Sequence, residues 1–447
     1  MIRCVYSIVM WLAQPFLLAR LKRRGVAEPG YLVAVGERFG RYGASIGVPA
    51  ALPTDPGYVW VHAVSLGETR VAALLIARLR DRLPGMRLLL THGTATGREE
   101  GAKLLRPGDV QVWQPWDTPS NVNRFLNGFR PRIGILLETE IWPNLSAICK
   151  ARAMPLVLVN ARLSDKSLQQ ALRLNWLARP AYSSLAAVWA QTQDDASRLR
   201  LLGAPVQGIF GNLKFDATPD AAQLVAGRQA RAVLGRPVTL FASSREGEES
   251  LFLENLKEKT PQVLVKYKKL AIKNIAFDIQ WLVVPRHPQR FDEVARLIEQ
   301  AGWVTSRRKA WLTVPPTPVN GGVTESATVW LGDSLGEMVM YYGLADVALL
   351  GGSFEPLGGQ NLIEAAACGC PVIMGPHTFN FAEAAELAIA AGAAIRVDSM
   401  AQAMLEATAL LADNDRLKAM RAAALQFTAA HRGAVGKTVA AIAELLG

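Results

Sequence analysis

Short apolar runs alternate with longer amphipathic segments along most of this chain, and this alternation constrains the fold more than any other feature. Each run precedes a segment whose apolar residues have helical spacing, which predicts repeated βαβ units. Because βαβ crossovers are right-handed, such units build an open parallel sheet with helices on both faces. The predicted strands are YVWVHAV (58–64), RLLLTH (87–92), IGILLET (133–139), LVLVNA (156–161), AVWAQ (187–191), VTLFAS (238–243), QWLVVP (280–285), ATVWLG (327–332), DVALLGG (346–352) and PVIMG (371–375).

The alternation breaks at QGIFGNLKFDATPD (207–220), where Gly and Pro flank a short apolar stretch. A chain of 447 residues also exceeds the usual size of one hydrophobic core. We therefore predict an α/β protein with two doubly wound, Rossmann-like domains, residues 26–208 and 209–447, whose final helix could pack back on the first domain. Ligands bind at the carboxyl ends of such strands, so we expect a site in a cleft between the domains.

The N-terminal residues 1–25 are mostly apolar and contain no acid. Gln14 and Pro15 interrupt the apolar run 4–19, which as a helix would span roughly 24 Å, against roughly 30 Å for a hydrocarbon core. The pattern favours a helix in the cytoplasmic leaflet, with the basic residues 22–24 on anionic headgroups. A short tilted span and a buried core helix are the alternatives. No small-residue cleavage site follows, which argues against a removable signal peptide.

Composition narrows the classes of partner and cofactor. The formal net charge of +11 favours an anionic membrane face, phosphorylated ligands or nucleic acid. No zinc-finger, RNP or basic-region pattern is present, so we expect no nucleic-acid partner. The Lys-rich stretch 257–273 is predicted to be a solvated surface insertion. The four cysteines lack paired spacing and a nearby His, which predicts reduced, cytosolic chemistry without a structural metal.

Three segments that follow strands in the second half carry polar or basic residues. ASSREGEE (242–249) opens a helix, so its Ser hydroxyls and free backbone N–H groups could hold an anion, and simple N-capping by one Ser is the alternative. PRHPQRF (285–291) places Arg and His after a strand, where Arg suits phosphate or carboxylate; a surface turn is the alternative. GDSLGEM (332–338) is a polar turn and is weak by itself.

The Gly-rich segment GGSFEPLGGQNLIEAAACGCPVIMGP (351–376) is the most informative. It pairs Gly-rich turns with a helix that is predicted to begin near Gln360. Glycines let a ligand approach the backbone, and Glu364 could hydrogen-bond a ribose diol. Together, these post-strand segments predict a nucleotide site in the second half.

The first half carries acids at the ends of its predicted strands. SLGE (65–68) fits the S-x-x-E capping box, yet Glu68 also lies where a carboxylate reaches the rim of the sheet. LLETEIWPNL (136–145) places Glu138 and Glu140 at a strand end, where both face the same way if the strand continues. Two acids are costly if they are buried unpaired, so either they reach the cleft or one of them caps the following helix.

Eight motifs occur in the order found in one glycosyltransferase family. They are SLGE, ETEIWPN, NARLS, GNLKFD, EGEES, PRHPQRF, GDSLGEM, and GGQNLIEAA with GPHTFNF. Together with GERFGRYG they extend from residue 36 to residue 381. The chain therefore resembles the 3-deoxy-D-manno-octulosonic acid (Kdo) transferases of lipid A assembly, and this resemblance implies the GT-B architecture.

The resemblance implies an inverting, metal-independent transfer of Kdo from CMP-Kdo to the 6′-hydroxyl of a tetraacyl lipid A precursor (lipid IVA) in lipopolysaccharide core assembly. It implies no cofactor and a location on the cytoplasmic side of the bacterial inner membrane. Another membrane-associated GT-B enzyme with a UDP-sugar donor is the nearest alternative. A non-catalytic glycolipid-binding module and a nucleic-acid-binding protein are the others.

The resemblance also implies roles for individual residues. Glu68 matches the family's proposed catalytic base, and Glu138 and Lys214 match residues assigned to stabilising the transition state. Gln360 and Arg245 stand where many members have His, so any role that needs an imidazolium at residue 360 does not transfer. The predicted donor-binding residues are Ser243, Ser244, Pro285, Arg286, His287, Leu335, Gly336, Glu337, Gln360, Asn361, Leu362, Ile363 and Glu364.

The two interpretations of Glu68 predict different pKa values. A capping carboxylate near a helix N-terminus would have a depressed pKa, whereas one aimed across the cleft could have a raised pKa. We predict that Ser65 caps the helix without reciprocal help from Glu68. We also predict that Gly67 lets the acceptor approach the carboxylate.

Overall fold

The computed structural model describes residues 2–43, 57–257, 279–314 and 328–446. The chain forms two compact units, of which the first is Met1–Asp216 with His431–Gly447 and the second is Ala217–Ala430. The predicted boundary between residues 208 and 209 falls inside the last strand of the first unit. Beyond Lys257, the Lys-rich stretch lies outside the described residues.

The first unit is built on a parallel sheet of seven strands. The strands are β1 (Tyr58–His62), β2 (Arg87–His92), β3 (Val110–Trp113), β4 (Pro131–Leu137), β5 (Leu156–Ala161), β6 (Ala187–Ala190) and β7 (Val206–Ile209). They lie in the order β3-β2-β1-β4-β5-β6-β7. The direction of chain progress reverses between β1 and β4, so these two neighbours form the switch point where doubly wound sheets bind ligands.

Helices cover both faces of this sheet. They are α2 (Leu66–Arg82), α3 (Ala95–Ala102), α4 (Pro119–Phe129), α5 (Pro143–Ala151), α6 (Asp165–Arg173), α7 (Asn175–Tyr182), α8 (Gln193–Leu201) and, from the end of the chain, α17 (Ala434–Leu446). The N-terminal helix α1 (Ile2–Ala27) instead contacts α5 and α7. Trp60 and Val61 are adjacent on β1 but belong to two different buried clusters, so both faces of the sheet are packed. Val435, Val439 and Ile442 of α17 share one of these clusters with side chains of α2.

Ser and Thr side chains begin many of these helices. Each accepts a hydrogen bond from a backbone N–H of the first turn, where such groups lack a helical partner. The capping residues are Ser65, Thr94, Thr118, Ser164 and Thr192. The strand-to-helix junctions at the carboxyl edge of the sheet are therefore ordered locally by the sequence.

The second unit contains another parallel sheet of seven strands. The strands are β8 (Val238–Ser244), β9 (Gln280–Pro285), β10 (Val304–Arg307), β11 (Thr328–Leu331), β12 (Val347–Leu350), β13 (Val372–Met374) and β14 (Ala394–Arg396). They lie in the order β10-β11-β9-β8-β12-β13-β14, which places a switch point between β8 and β12. Alternate strand residues such as Phe241, Val283 and Leu349 form the core with α11 and α15.

The helices of the second unit flank its sheet. They are α9 (Ala221–Val233), α10 (residues 248–257), α11 (Phe291–Gln300), α12 (Met338–Leu344), α13 (Leu362–Ala367), α14 (Ala382–Ala390), α15 (Met400–Ala412) and α16 (Asn414–Ala430). Short 3-10 helices occur in both units at Pro29–Leu32, Val35–Phe39, Leu213–Asp216, Pro288–Arg290, Arg308–Ala310 and Phe379–Phe381.

The N-terminal helix α1 is continuous over 26 residues and includes Pro15. At 1.5 Å per residue it is about 39 Å long, longer than the roughly 24 Å predicted for the apolar run 4–19, because Gln14 and Pro15 do not end the helix. The segment Arg3–Ala27 is long and apolar enough to cross a membrane. Its exposed apolar side chains include Val5, Ile8, Val9, Trp11, Leu12 and Phe16. This exposure contradicts the core-helix alternative.

Candidate active site

Glu68 lies directly after β1, in the first turn of α2. The Ser65 hydroxyl accepts a hydrogen bond from the Glu68 N–H (3.3 Å) and donates one to Glu68 Oε1 (3.0 Å). Glu68 Oε2 accepts a hydrogen bond from the Val64 N–H (2.9 Å). The prediction that Ser65 caps α2 without reciprocal help was therefore wrong. The carboxylate of this third helical residue reaches back to the helix start, as in a capping box, but the backbone N–H that donates to it belongs to Val64 rather than to the cap residue Ser65.

The pKa of Glu68 is raised although the carboxylate caps a helix. Partial burial raises the pKa to about 7, while the hydrogen bonds from the Val64 N–H and the Ser65 hydroxyl oppose this rise. The negative charges of Glu138 and Glu140 contribute to the rise, and the value of about 7 includes all of these effects. Desolvation and like charge thus outweigh the cap. A carboxylate with a pKa near neutrality is a suitable general base, since both its protonated and its ionised forms are populated there.

Glu138 follows the last residue of β4 and has a left-handed backbone, with φ +60°. Its carboxylate pairs with Lys214 Nζ at 3.3 Å and with Arg162 Nε at 3.6 Å. A non-glycine residue in this region costs of order 1–3 kcal/mol, and such strain is frequent at functional sites. Because the strand ends at Leu137, the alternation expected for Glu138 and Glu140 does not extend to them.

The two residues predicted to stabilise the transition state, Glu138 and Lys214, are therefore in contact. Lys214 comes from the 3-10 helix at the end of the first unit, far from Glu138 in sequence. Arg162 was missed as an individual residue, although its motif NARLS was recognised. Its position just after β5, two strands from the switch point, was the available signal.

In the second unit, Glu248 occupies the junction between β8 and α10. Its carboxylate accepts hydrogen bonds from the N–H groups of Arg245 (2.9 Å), Gly352 (2.7 Å) and Phe354 (3.0 Å), with a further backbone bond from Glu355. The side chain is 0% exposed. Glu248 therefore ties the turn after β12 to the turn after β8. Sequence reasoning missed this role, since its partners lie about a hundred residues away.

Ser243 and Ser244 belong to β8, so the alternative in which one of them N-caps the next helix was wrong. Ser244 is buried, and its hydroxyl donates to Glu249 Oε1 (2.8 Å). Arg290 Nη1 donates to the same oxygen (2.8 Å). The hydrogen bond of the Ser244 hydroxyl therefore lies in the interior of the unit. Ser243 has φ +56° and is only partly buried.

Arg286 and Gln360 are neighbours at the carboxyl edge of the second sheet. Arg286 Nε donates to Gln360 Oε1 (3.2 Å), and the Arg286 N–H donates to the Ser244 carbonyl (2.9 Å). The amide at residue 360 therefore orients a guanidinium. His287 follows, and burial together with the charges of Arg245 and Arg286 lowers the pKa of its imidazole.

The remaining predicted donor-binding residues divide into exposed and buried groups. Leu335 is exposed, the Gly336 carbonyl accepts a hydrogen bond from Gln223 Nε2 (2.9 Å), and Glu337 pairs with Arg308 Nη2 (2.8 Å). Pro285 ends β9. Asn361 caps α13 by accepting the Ile363 N–H (3.2 Å), and Glu364 lies half-buried in that helix. The side chains of Leu362 and Ile363 are buried, so a ligand reaches these two residues only through their backbone.

Three comparisons with known proteins bear on this arrangement. The family model described as 3-Deoxy-D-manno-octulosonic-acid transferase (kdotransferase) matches residues 34–217. A 3-deoxy-D-manno-octulosonic acid transferase from Bordetella pertussis is 44% identical over 100% of both chains. The chain belongs to the Kdo transferase family. A member from Haemophilus influenzae is 31% identical over 97% of this chain and 96% of its own.

Solved structures support the fold expected of a Kdo transferase. A glycosyltransferase from Rickettsia africae matches with a TM-score of 0.53 and 14% identity, over 87% of this chain and 98% of its own. At this identity the likeness concerns the fold alone. With two parallel seven-stranded sheets and their helices, it confirms the predicted α/β, GT-B architecture.

Proposed function

We propose that this Kdo transferase moves Kdo from CMP-Kdo to the 6′-hydroxyl of a tetraacyl lipid A precursor, with inversion at the anomeric carbon. The observation that carries the proposal is Glu68, a partly accessible carboxylate at a sheet switch point with a pKa of about 7. Carboxylate bases of this kind are suited to activating a hydroxyl nucleophile. The donor and the acceptor are those named by the family resemblance of the motifs.

In the proposed reaction Glu68 removes the proton of the acceptor hydroxyl. The oxygen then forms the bond to the anomeric carbon of Kdo while the bond to the CMP phosphate oxygen breaks, and CMP leaves with that electron pair. One displacement of this kind inverts the anomeric centre. General-base assistance is typically worth about 10²–10⁴-fold.

The cations of the first unit suit the charge that develops near Glu68. Lys214 and Arg162 flank Glu138, so this carboxylate holds two positive groups at the carboxyl edge of the sheet. Groups that are fixed before the reaction stabilise developing charge without reorganising. We assign Glu138 and Lys214 to this stabilisation.

The second unit is proposed to hold CMP-Kdo. Arg286 is oriented by Gln360, and a guanidinium is suited to phosphate through its planar set of donors. The turn 351–355 is fixed by Glu248, so its backbone is preorganised next to the switch point of this sheet. Asn361 and Glu364 lie at the next turn, where a ribose could bind.

We propose that α1 holds the enzyme on the cytoplasmic side of the bacterial inner membrane. Its exposed apolar side chains suit the bilayer, and the basic residues 22–24 suit anionic headgroups. A lipid acceptor resides in that membrane. An anchored enzyme meets it at a high local concentration.

The test uses the purified full-length chain with CMP-Kdo and the tetraacyl acceptor, beside reactions with UDP-sugars. Mass spectrometry should show Kdo added only from CMP-Kdo, and NMR of the product should show an inverted anomeric configuration at the 6′-linkage. The same spectra count the Kdo residues transferred. Transfer from a UDP-sugar alone, or retention of configuration, would contradict the proposal.

A further inference from the structure

The N-terminal helix α1 makes polar contacts with the rest of the first unit through Tyr6 and Ser7. Tyr6 Oη donates a hydrogen bond to Asp117 Oδ2 (3.0 Å). Ser7 Oγ lies 2.9 Å from Asn144 Oδ1 and 2.7 Å from the Arg3 carbonyl, and it can donate to either. Polar pairing next to exposed apolar side chains such as Val5, Ile8 and Val9 fixes the position of this helix on the unit. Attachment to a bilayer does not require such pairing.

The Asp117 carboxylate in turn caps the start of helix α5. It is 1% exposed and accepts hydrogen bonds from the Asn144 N–H at Oδ2 (2.9 Å) and the Leu145 N–H at Oδ1 (2.8 Å). Asn144 Nδ2 donates back to the Asp117 carbonyl (2.8 Å). The residue in the N-cap position of α5, Trp142, makes no side-chain cap. The cap of α5 is therefore supplied by a neighbouring loop whose carboxylate is held by α1.

The loop between β4 and α5 carries the acids of the site. At its strand end, the Glu138 N–H donates to the Val159 carbonyl (3.1 Å), and at its helix end Asp117 holds Asn144. Between them lies Glu140, which is partly buried and whose charge raises the pKa of Glu68. A shift of the α5 N-terminus would therefore move these acids relative to Glu68.

We propose that Tyr6 and Ser7 are positioning residues for Kdo transfer. Through Asp117 and Asn144, docking of α1 on the first unit fixes the acidic loop 138–142 beside Glu68. The anchor helix is thus part of the catalytic architecture as well as a membrane attachment. This inference rests on the proposed role of Glu68 as base.

The experiment compares full-length wild type with Tyr6→Phe and Ser7→Ala in one detergent. Tyr58→Phe is the matched control, because the Tyr58 hydroxyl has no hydrogen-bond partner among the described residues and lies at the opposite, amino end of β1. We expect Tyr6→Phe to lower kcat about tenfold and Ser7→Ala to lower it less, with KM for CMP-Kdo and partition into anionic vesicles unchanged. Tyr58→Phe should keep the wild-type kcat.

Hydrogen–deuterium exchange gives a readout that does not depend on turnover. The amides of Asn144 and Leu145 should exchange faster in Tyr6→Phe than in Tyr58→Phe, since Asp117 loses one of the groups that hold it. If wild type fails to transfer Kdo from CMP-Kdo, the proposed function fails. If wild type is active but Tyr6→Phe matches Tyr58→Phe in kcat and in exchange, the positioning role alone is overturned.

Discussion

Glu68 and Glu248 occupy corresponding places in the two units. Each follows the first strand of its sheet, next to a switch point, and each lies at the start of the helix that follows. Both accept hydrogen bonds from the backbone at that junction. They differ in how many partners the protein supplies: Glu248 accepts four backbone N–H groups, whereas Glu68 accepts one N–H and one hydroxyl.

This difference separates a structural carboxylate from a reactive one. An ionised carboxylate offers about four acceptor positions, so Glu248 has its full complement and is 0% exposed. Glu68 is only partly buried and keeps capacity for a further donor such as a substrate hydroxyl. Burial raises the pKa of both groups, so the pKa direction alone does not distinguish them. The number of hydrogen-bond partners distinguishes Glu68 from Glu248.

The largest expected effect is that of Glu68→Gln on Kdo transfer. Loss of the base should lower kcat by about 10²–10⁴-fold. Burial raises the folded-state pKa of Glu68 from 4.5 to about 7, so the wild-type fold loses stability as the pH rises through this window. At pH 8 the variant should therefore unfold with a free energy at least as high as that of wild type.

Exposed Glu99 on α3 provides the matched control, since Glu99→Gln should preserve both rate and stability. A Glu68→Gln enzyme that transfers Kdo at the wild-type rate would contradict the role of Glu68 as the base. One that is inactive because it unfolds would make Glu68 a structural residue like Glu248.

Glu248→Gln should have the opposite profile, with stability as its primary loss. The amide N–H₂ would face backbone N–H donors, and the unpaired groups should lower the free energy of unfolding by about 3 kcal/mol. Denaturant unfolding measures this loss. Glu246→Gln, at an exposed neighbour that pairs with Arg245 and Arg290, should lower the free energy of unfolding by less than about 0.5 kcal/mol. Equal stability of the two variants would contradict the assigned role of Glu248.

Ser65→Ala should have the smallest effect of these variants. It removes the Ser65 hydroxyl and leaves the Glu68 carboxylate with the Val64 N–H as hydrogen-bond donor. Removal of the cap should lower the free energy of unfolding by about 1 kcal/mol. The Ser65 hydroxyl lowers the pKa of Glu68, so its loss should move the rising limb of the pH–rate profile to higher pH. Assays across pH with Ser164→Ala, which removes the cap of α6 instead, control for a general loss of stability. A shift of equal size in both variants would contradict a specific contact.

The interior of each sheet was predictable from the sequence, whereas its edges were not. Every predicted apolar run contains a strand, and the strands that were missed are β3, β7, β10 and β14, which are the edge strands of the two sheets. Strands covered on both faces read as continuous apolar runs. β7 alternates between half-buried and exposed residues, β10 has no buried residue, and β14 has only three residues. β3 is mostly buried, but it has only four residues and the polar Gln111 interrupts its apolar run.

The location of the site residues was predictable, but not the direction of their side chains. The predicted strand ends correctly located Glu68, Glu138 and Arg286 at the carboxyl edges of their sheets. The turning back of Glu68 onto Val64 depends on a few ångströms of local geometry. The partners of Glu248 and Asp117 come from distant loops, which periodicity within one segment does not report.

The pH dependence of Kdo transfer tests the central claim most directly. If Glu68 is the base, with few hydrogen-bond donors from the protein, kcat/KM of the wild type should rise with pH to a plateau, with its inflection near pH 7. Glu138→Gln removes a charge that raises this pKa, so the inflection of that variant should lie at lower pH. A wild-type inflection near the ordinary Glu value of 4.5, or one that Glu138→Gln leaves in place, would contradict the account.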